Sequence, residues 1–147
     1  MKKRPPLTAF NTIMNLLARR DHSERELRKK LKLRDFPIEE IDLALERARQ
    51  QNWMSNPNQL SERWADQLHR KNKGIHYINS SLQEKGLPSV PRVESLELEK
   101  AQKLIKNKYS GFHQFTREEK AKAARFLASR GFDSGTVRKV ILNDEEL

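Results

Sequence analysis

Residues 8–36, TAFNTIMNLLARRDHSERELRKKLKLRDF, decide the fold of this chain because they contain two helices and the turn that follows them. Apolar side chains repeat there at the period of one helix face: Phe10, Ile13, Met14 and Leu17. This spacing predicts a first helix from about Thr8 to Arg20. Ser23 and Glu26 then form a capping box, in which a hydroxyl and a carboxylate each satisfy a backbone N–H at the start of a helix. A short, strongly basic second helix is therefore predicted.

The middle of the chain continues the helical pattern. Ile41 and Leu45 predict a third helix that starts near Pro37. A fourth helix starts at Asn56 and Pro57, a plausible cap and first-turn proline. A fifth helix follows Gly74 and ends at Gly86, a C-terminal glycine.

The last part of the chain also has a helical pattern. The prolines at 88 and 91 allow a helix only from about Val90, with Val93 and Leu96 facing inward. Leu98, Ala101, Leu104 and Ile105 continue a helix to about Lys108. Thr116 and Glu119 form a second capping box, and Ser134 is expected to cap the last helix.

Three anchors reveal an internal repeat: Phe36, Leu87 and Phe132. Apolar residues recur five and nine positions before each anchor and nine positions after it, and the spacing of the anchors is typical of helical repeats. No segment alternates with a period of two. The sequence therefore predicts an all-α protein, a tandem array of three three-helix, helix-turn-helix-like repeats, elongated and curved. Its expected divisions are a basic N-terminal tail at 1–7 and repeats at 8–52, 53–97 and 98–147.

Composition sets limits on function. Hydrophobic and charged residues make up 35% and 34% of the 147 residues, which fits thin helical layers better than one thick core. The net charge of +10 divides into +8 over residues 1–34, −3 over 35–99 and +5 over 100–147. Basic blocks at both ends favour a polyanionic or mixed-charge partner over an ordinary solvated surface.

Several classes are excluded or disfavoured. The absence of cysteine excludes disulfides and thiolate metal sites. Neither a signal peptide nor a bilayer-spanning run is recognised, so a cytoplasmic location is expected. No catalytic group, cofactor motif or metal-ligand spacing is found. We interpret the histidines as surface or capping residues: His22, His69, His76 and His113. The chain is therefore not expected to be an enzyme.

Three stretches resemble the RecX family. Residues 16–31, LLARRDHSERELRKKL, are similar to its opening signature, and residues 41–47, IDLALER, to its next helix. Residues 125–132, RFLASRGF, resemble its closing unit. The middle of the chain resembles the second unit of the family at Lys73-Gly74, Ile78, Leu82 and residues 84–87, EKGL. The helix that is basic in that unit is less basic here, because it contains Asn79, Ser80 and Ser81.

The resemblance implies a modular protein that lies along the groove of a RecA–DNA filament and restrains recombinase and ATPase activity. The expected partners are the RecA filament and single- or double-stranded DNA without sequence preference, with no membrane partner, and the chain is expected to be a monomer. Basic side chains would pair with recombinase carboxylates or DNA phosphates. The candidates in the first repeat are Arg19, Arg20, Arg25, Arg28 and Lys29. Those in the last repeat are Lys122, Arg125, Arg130, Arg138 and Lys139.

The alternative is a helix-turn-helix-like module that acts directly on DNA. Against it, no repeat shows a recognition face rich in Asn, Gln and Arg, and the basic residues are dispersed. The aromatic residues do not separate the two hypotheses: Trp64 is expected in the core, and Trp53 is expected to be a packing anchor between repeats.

Overall fold

The computed structural model describes residues 7–109 and 115–142, and these residues form eight α-helices and no strand. The helices are α1 (Ala9–Arg19), α2 (Glu24–Leu33), α3 (Ile38–Gln50), α4 (Pro57–Arg70), α5 (Ile75–Glu84), α6 (Glu94–Lys108), α7 (Arg117–Ser129) and α8 (Ser134–Ile141). The all-α prediction is confirmed. His113 and nearly all of the predicted basic tail, residues 1–6, lie outside the described residues.

The chain divides into two compact units. One comprises Met1–Leu60 and Glu84–Leu87, and the other comprises Ser61–Gln83 and Pro88–Leu147. The predicted division into three repeats with boundaries at residues 53 and 98 stays a prediction.

The first unit is built on three helices, of which α1 and α2 have side-chain caps. The Thr8 hydroxyl accepts the Asn11 N–H at 3.1 Å and starts α1, and Ser23 and Glu26 make both hydrogen bonds of the predicted capping box on α2. α3 packs against α1 and α2. The core consists of fully buried side chains from all three helices: Ala9, Ile13, Leu27, Leu31, Ile41, Leu45 and Ala48. Burial of these apolar stripes supplies most of the stability of such short helices.

A stack of three side chains holds the start of α1 against the end of α3. The Phe10 ring lies 5.0 Å from the Trp53 ring at an angle of 25°, and the Arg47 guanidinium lies 3.8 Å from the Phe10 ring centre. Trp53 thus packs inside the first unit and is 37% exposed, whereas its predicted role between repeats stays a prediction.

The internal repeat appears in the backbone. The residue before each anchor adopts a left-handed conformation, with φ of 62° at Asp35, 70° at Gly86 and 94° at Gly131. The residues nine and five positions before the anchors are all fully buried: Leu27 and Leu31, Ile78 and Leu82, Ala123 and Leu127. The same helix end therefore follows α2, α5 and α7.

The middle repeat lacks its predicted third helix. After Leu87 the chain runs without helix to Val93; Pro88 and Pro91 have no backbone N–H to donate, and side chains of α4 and α5 bind the backbone of this segment. The Asn79 amide accepts from the Val90 N–H at 2.8 Å and donates to the Val90 carbonyl at 3.1 Å, and Ser61 donates to the Pro88 carbonyl at 2.7 Å. The weak helix formers of α5 thus have a structural role, as does Ser81, which accepts from the half-buried Trp64 indole at 2.9 Å.

The helix predicted to begin near Val90 begins instead at Glu94, and as α6 it continues to Lys108, where its end was predicted. Val93, expected to face inward, precedes this helix and is 49% exposed. Leu96 is partly buried, whereas Glu97 and Lys100 occupy the fully buried face. The helix therefore faces the interior with a charged pair that apolar periodicity could not reveal.

The α6–α8 helices share one core, which also contacts the turn before α5. Its buried members are Ala101, Ile105, Ala123, Leu127, Phe132 and Ile141. The carbonyls of Arg130 and Gly131 accept the N–H groups of Gly74 and His76 at 2.8 and 2.9 Å. An added Cβ on Gly131 would lie 2.4 Å from the Tyr77 Cβ, so this turn requires glycine.

The caps of the last two helices confirm one prediction and correct another. Thr116 and Glu119 make both hydrogen bonds of the predicted capping box. Ser134, expected as the last cap, is instead the first residue of α8, and Asp133 accepts the Thr136 N–H at 2.8 Å. A carboxylate is the stronger cap because it also interacts favourably with the helix dipole.

Candidate partner-binding surfaces

The first candidate surface lies on α2. Leu27 and Leu31 bury one face of this helix, which leaves its basic side chains on the others. A shallow cavity of about 290 Å³ lies on the part of α2 that faces away from the core. It is lined by Arg25, Arg28, Lys29, Lys32 and Leu33. We call these five residues the α2 surface. Lys32 belongs to it although it was not among the predicted site residues; its i, i+3 spacing from Lys29 was the available signal.

Some of the predicted partner-binding cations of the first unit form ion pairs within the fold. Arg20 and Lys85 donate to the Glu26 carboxylate at 2.9 and 3.0 Å. Burial alone would raise the pKa of Glu26, but hydrogen bonds from the Ser23 N–H, Arg20 and Lys85 outweigh it and lower the pKa to about 2. Arg20 thus makes a structural contact, and its remaining N–H donors are the ones available to a partner.

The remaining predicted residues of the first unit differ in their surroundings. Arg28 donates to Asp42 of α3 at 2.7 Å. Arg25 packs over Gly86, where an added Cβ would lie 2.9 Å from its Nε. Arg19 and Lys29 are exposed and make no ion pair with any residue that the structure describes. They carry the most available positive charge among the predicted residues of this unit.

Arg25 and Arg28 also reach a second cavity of the first unit, of about 500 Å³. Arg49 lines the same cavity and pairs with Glu24 and Glu46. Its apolar wall consists of Met54, Pro57, Leu60 and Leu87. Three guanidinium groups thus meet at one concave site, where Arg28 and Arg49 form ion pairs.

The second candidate surface lies on α7 and α8. These helices enclose a groove of about 600 Å³, the α7–α8 groove, whose basic lining residues are Arg117, Lys120, Arg125 and Arg138. Arg125 and Arg138 were predicted as contact residues. Arg117 and Lys120 were missed, although they lie at helical spacing from Arg125 along one face of α7.

The other predicted residues of the last repeat lie outside this groove. Lys139 pairs with Glu94 at the start of α6. The Arg130 guanidinium lies 5.0 Å from the Phe126 ring centre, and Lys122 is exposed on α7. The structure therefore brings together two of the five predicted cations and separates the other three from them.

Two histidines are not surface residues, which corrects their interpretation. His22 is 2% exposed; its Nδ1 lies 3.0 Å from the Arg20 carbonyl and its Nε2 lies 2.8 Å from Lys30 Nζ. Burial lowers the pKa of both His22 and Lys30. A neutral ring fits this position, since its Nδ1 then donates to the carbonyl and its Nε2 accepts from the ammonium. His69 is partly buried, with its Nδ1 2.8 Å from Lys100 Nζ, whereas His76 is exposed as predicted.

Neither a metal-binding cluster nor a membrane-spanning helix is seen in residues 7–109 and 115–142. Within these ranges, no group of three or more His, Asp or Glu side chains is placed to hold a metal ion. None of their helices combines the length and the apolar character that crossing a bilayer requires.

Repeated helix ends define a helical-repeat protein, and cations line its concavities. A family model described as the first three-helix domain of RecX matches residues 9–47, and one described as the third matches residues 95–141. The regulatory protein RecX of Haemophilus influenzae strain PittEE is 37% identical over 134 residues, which cover 86% of this chain and 88% of that protein. That of Pseudomonas savastanoi pv. phaseolicola is 30% identical, over 92% of this chain and 91% of its own. The chain belongs to the RecX family of regulatory proteins.

A solved structure supports the fold. The crystal structure of RecX from Lactobacillus salivarius superimposes with a TM-score of 0.75 over 91% of this chain and 92% of that chain, at 21% identity. The α2 surface falls within the match to the first RecX domain, and the α7–α8 groove falls within the match to the third, apart from Leu142.

Proposed function

We propose that this protein binds the RecA recombinase filament assembled on DNA and restrains its recombination and ATP hydrolysis. Membership of a family of regulatory proteins supports a regulatory role. We further propose that the restraint comes from binding rather than from chemistry of its own, and that the protein acts as a monomer in the cytoplasm, in recombination and DNA repair.

One observation carries the proposal: both candidate surfaces hold cations that have no ion pair with a described residue. Lys29 and Lys32 on α2 and Arg125 and Arg138 beside the groove are exposed in this way. A filament of protein and DNA offers carboxylates and phosphates, the groups that such cations bind. Because the cations lie in two different three-helix domains, weak contacts at each can add through multivalency.

The test compares the assembled RecA filament with naked DNA at physiological salt. We expect a clear preference for the filament and a fall in RecA ATP hydrolysis when the protein is added. Equal affinity for naked DNA, with a steep dependence on salt, would instead support the direct DNA-binding module. Unchanged ATP hydrolysis would contradict the regulatory part of the proposal.

A charge reversal with a matched control locates the contact. Lys29→Glu with Lys32→Glu is expected to weaken filament binding by about tenfold, because it removes two exposed cations and introduces repulsion. Lys103→Glu with Lys106→Glu makes the same charge change at the same spacing on exposed positions of α6. Equal loss in both variants would show that only net charge matters and would contradict the assignment of the α2 surface.

A further inference from the structure

The α7–α8 groove has an apolar interior. α7 contributes three small side chains, Ala121, Ala124 and Ala128. Val137 and Ile141 of α8 and Leu142, which follows it, contribute larger apolar side chains. Phe132 lies at the base and is 3% exposed, whereas Leu142 is 56% exposed. Because alanine side chains leave room on this face of α7, a depression lies beside the contact between the two helices.

Among the described residues, every charged side chain that lines the groove is basic. Its four cations, Arg117, Lys120, Arg125 and Arg138, make no ion pair with another described residue. Elsewhere in the same unit, cations do find carboxylates: Arg92 pairs with Asp133 at 2.6 Å, and Lys139 pairs with Glu94. Positive charge without a partner is therefore concentrated around this apolar depression.

This combination favours a protein segment over nucleic acid. Phosphates would use the cations but gain nothing from an apolar floor. Bases would need exposed aromatic rings for stacking, and the ring that lines the groove, that of Phe132, is buried. A helix with an apolar stripe flanked by Asp and Glu uses both features, since such helices bind in apolar grooves through residues spaced by three and four positions.

We propose that the α7–α8 groove binds an acidic amphipathic helix presented by the protein component of the recombinase filament. This inference rests on the proposed function and deepens it: the groove would recognise recombinase protein, whereas the α2 surface can use either carboxylates or phosphates.

The experiment fills the groove without changing its charge. Ala128→Trp places a bulky side chain at an exposed lining position, and Leu142→Asn removes part of the apolar wall. Gln102→Trp, at an exposed position of α6, is the control. We expect each groove variant to weaken filament binding by about tenfold or more, with affinity for naked single-stranded DNA within about twofold of the parent. Far-UV circular dichroism verifies that the helices are retained.

The outcomes separate this inference from the proposed function. Unchanged filament binding by both groove variants would overturn the inference and leave the function standing. A parallel loss of DNA affinity would overturn it by showing that the groove binds DNA. A synthetic Leu/Glu amphipathic helix of about four turns is a second probe. If that helix binds the parent and not Ala128→Trp while the filament is not preferred over DNA, the groove stands and the proposed function fails.

The acidic residues 143–147 provide a further comparison. A chain that ends at Leu142 should bind the synthetic helix with an affinity close to that of the full chain. If removing these residues instead tightens binding by about tenfold, the chain's own end is the occupant of the groove, and the inference is overturned.

Discussion

The Glu97 carboxylate and the Lys100 ammonium lie 2.5 Å apart on adjacent turns of α6, and neither side chain is more than 3% exposed. Each also binds backbone of the α4–α5 turn: Glu97 accepts the Ile75 N–H at 2.8 Å, and Lys100 donates to the Lys73 carbonyl at 2.6 Å. Burial lowers the pKa of Lys100, although its hydrogen bond to Glu97 opposes this effect. The pair thus fixes the turn between α4 and α5 against α6.

Removing one member of this pair should destabilise the protein strongly. Lys100→Met leaves the Glu97 carboxylate buried without its counter-charge, so we expect the free energy of unfolding to fall by about 3–5 kcal/mol. Urea denaturation followed by circular dichroism measures this. Lys103→Met, at an exposed position of the same helix, should stay within about 0.5 kcal/mol of the parent. Similar losses in both variants would contradict a special role for the buried pair.

The depressed pKa of Glu26 predicts acid sensitivity. Because its pKa is about 2 in the folded protein and 4.5 ordinarily, the unfolded chain takes up the proton first as pH falls. The stability that this carboxylate contributes is therefore present above about pH 4.5 and lost as the pH falls towards 2. Glu26→Gln should flatten the pH dependence of unfolding over this range, whereas exposed Glu39→Gln should keep it. A profile for Glu26→Gln as steep as that of the parent would refute the prediction.

The cap of α8 can be tested with two adjacent residues. Asp133→Ala removes the hydrogen bond to Thr136 and the ion pair with Arg92, so a loss of about 1–2 kcal/mol in the free energy of unfolding is expected. Ser134→Ala should change it by less than about 0.5 kcal/mol. Thermal unfolding of both variants gives the comparison. A larger loss for Ser134→Ala would restore serine as the cap.

A charge swap separates the structural role of Arg28 from a role in binding. Arg28→Asp with Asp42→Arg keeps an ion pair between α2 and α3, and exposed pairs contribute only about 0–1 kcal/mol, so stability should be nearly unchanged. If the Arg28 guanidinium contacts the partner, filament binding weakens in the swapped variant as much as in Arg28→Asp alone. Binding equal to that of the parent would mean that Arg28 serves the fold alone.

Local chemistry explains why so much of the fold could be predicted from sequence. The two capping boxes are complete within four residues, as at Ser23 and Glu26, so no tertiary information is needed to recognise them. The repeat was equally visible, because Leu31, Leu82 and Leu127 stand at one spacing from their anchors. Each is fully buried in the structure.

The missed features depend on contacts between residues distant in sequence. The Asn79 side chain binds the Val90 backbone in a segment that has no helix. A polar residue in a helical pattern gives no indication of which distant backbone groups it will bind. Glu97 and Lys100 are ordinary i, i+3 charges that are usually exposed, so burial was not expected.

The candidate site was predicted only in part for the same reason. Arg28 and Lys29 are neighbours of equal charge in the sequence, but only Arg28 meets a carboxylate of another helix. The groove was missed because Ala121 and Ala128 contribute little to an apolar pattern, although their small size is what opens it.

The attachment of Val90 to Asn79 has a consequence for how this region opens. A helix frays gradually from its ends, since every turn has its own hydrogen bonds. Residues 88–93 are held instead by hydrogen bonds from a few side chains. When the Asn79 amide loses its two hydrogen bonds to Val90, several residues are therefore released together. Hydrogen exchange along this stretch should therefore report a single local opening event, in contrast to the graded protection of the flanking helices.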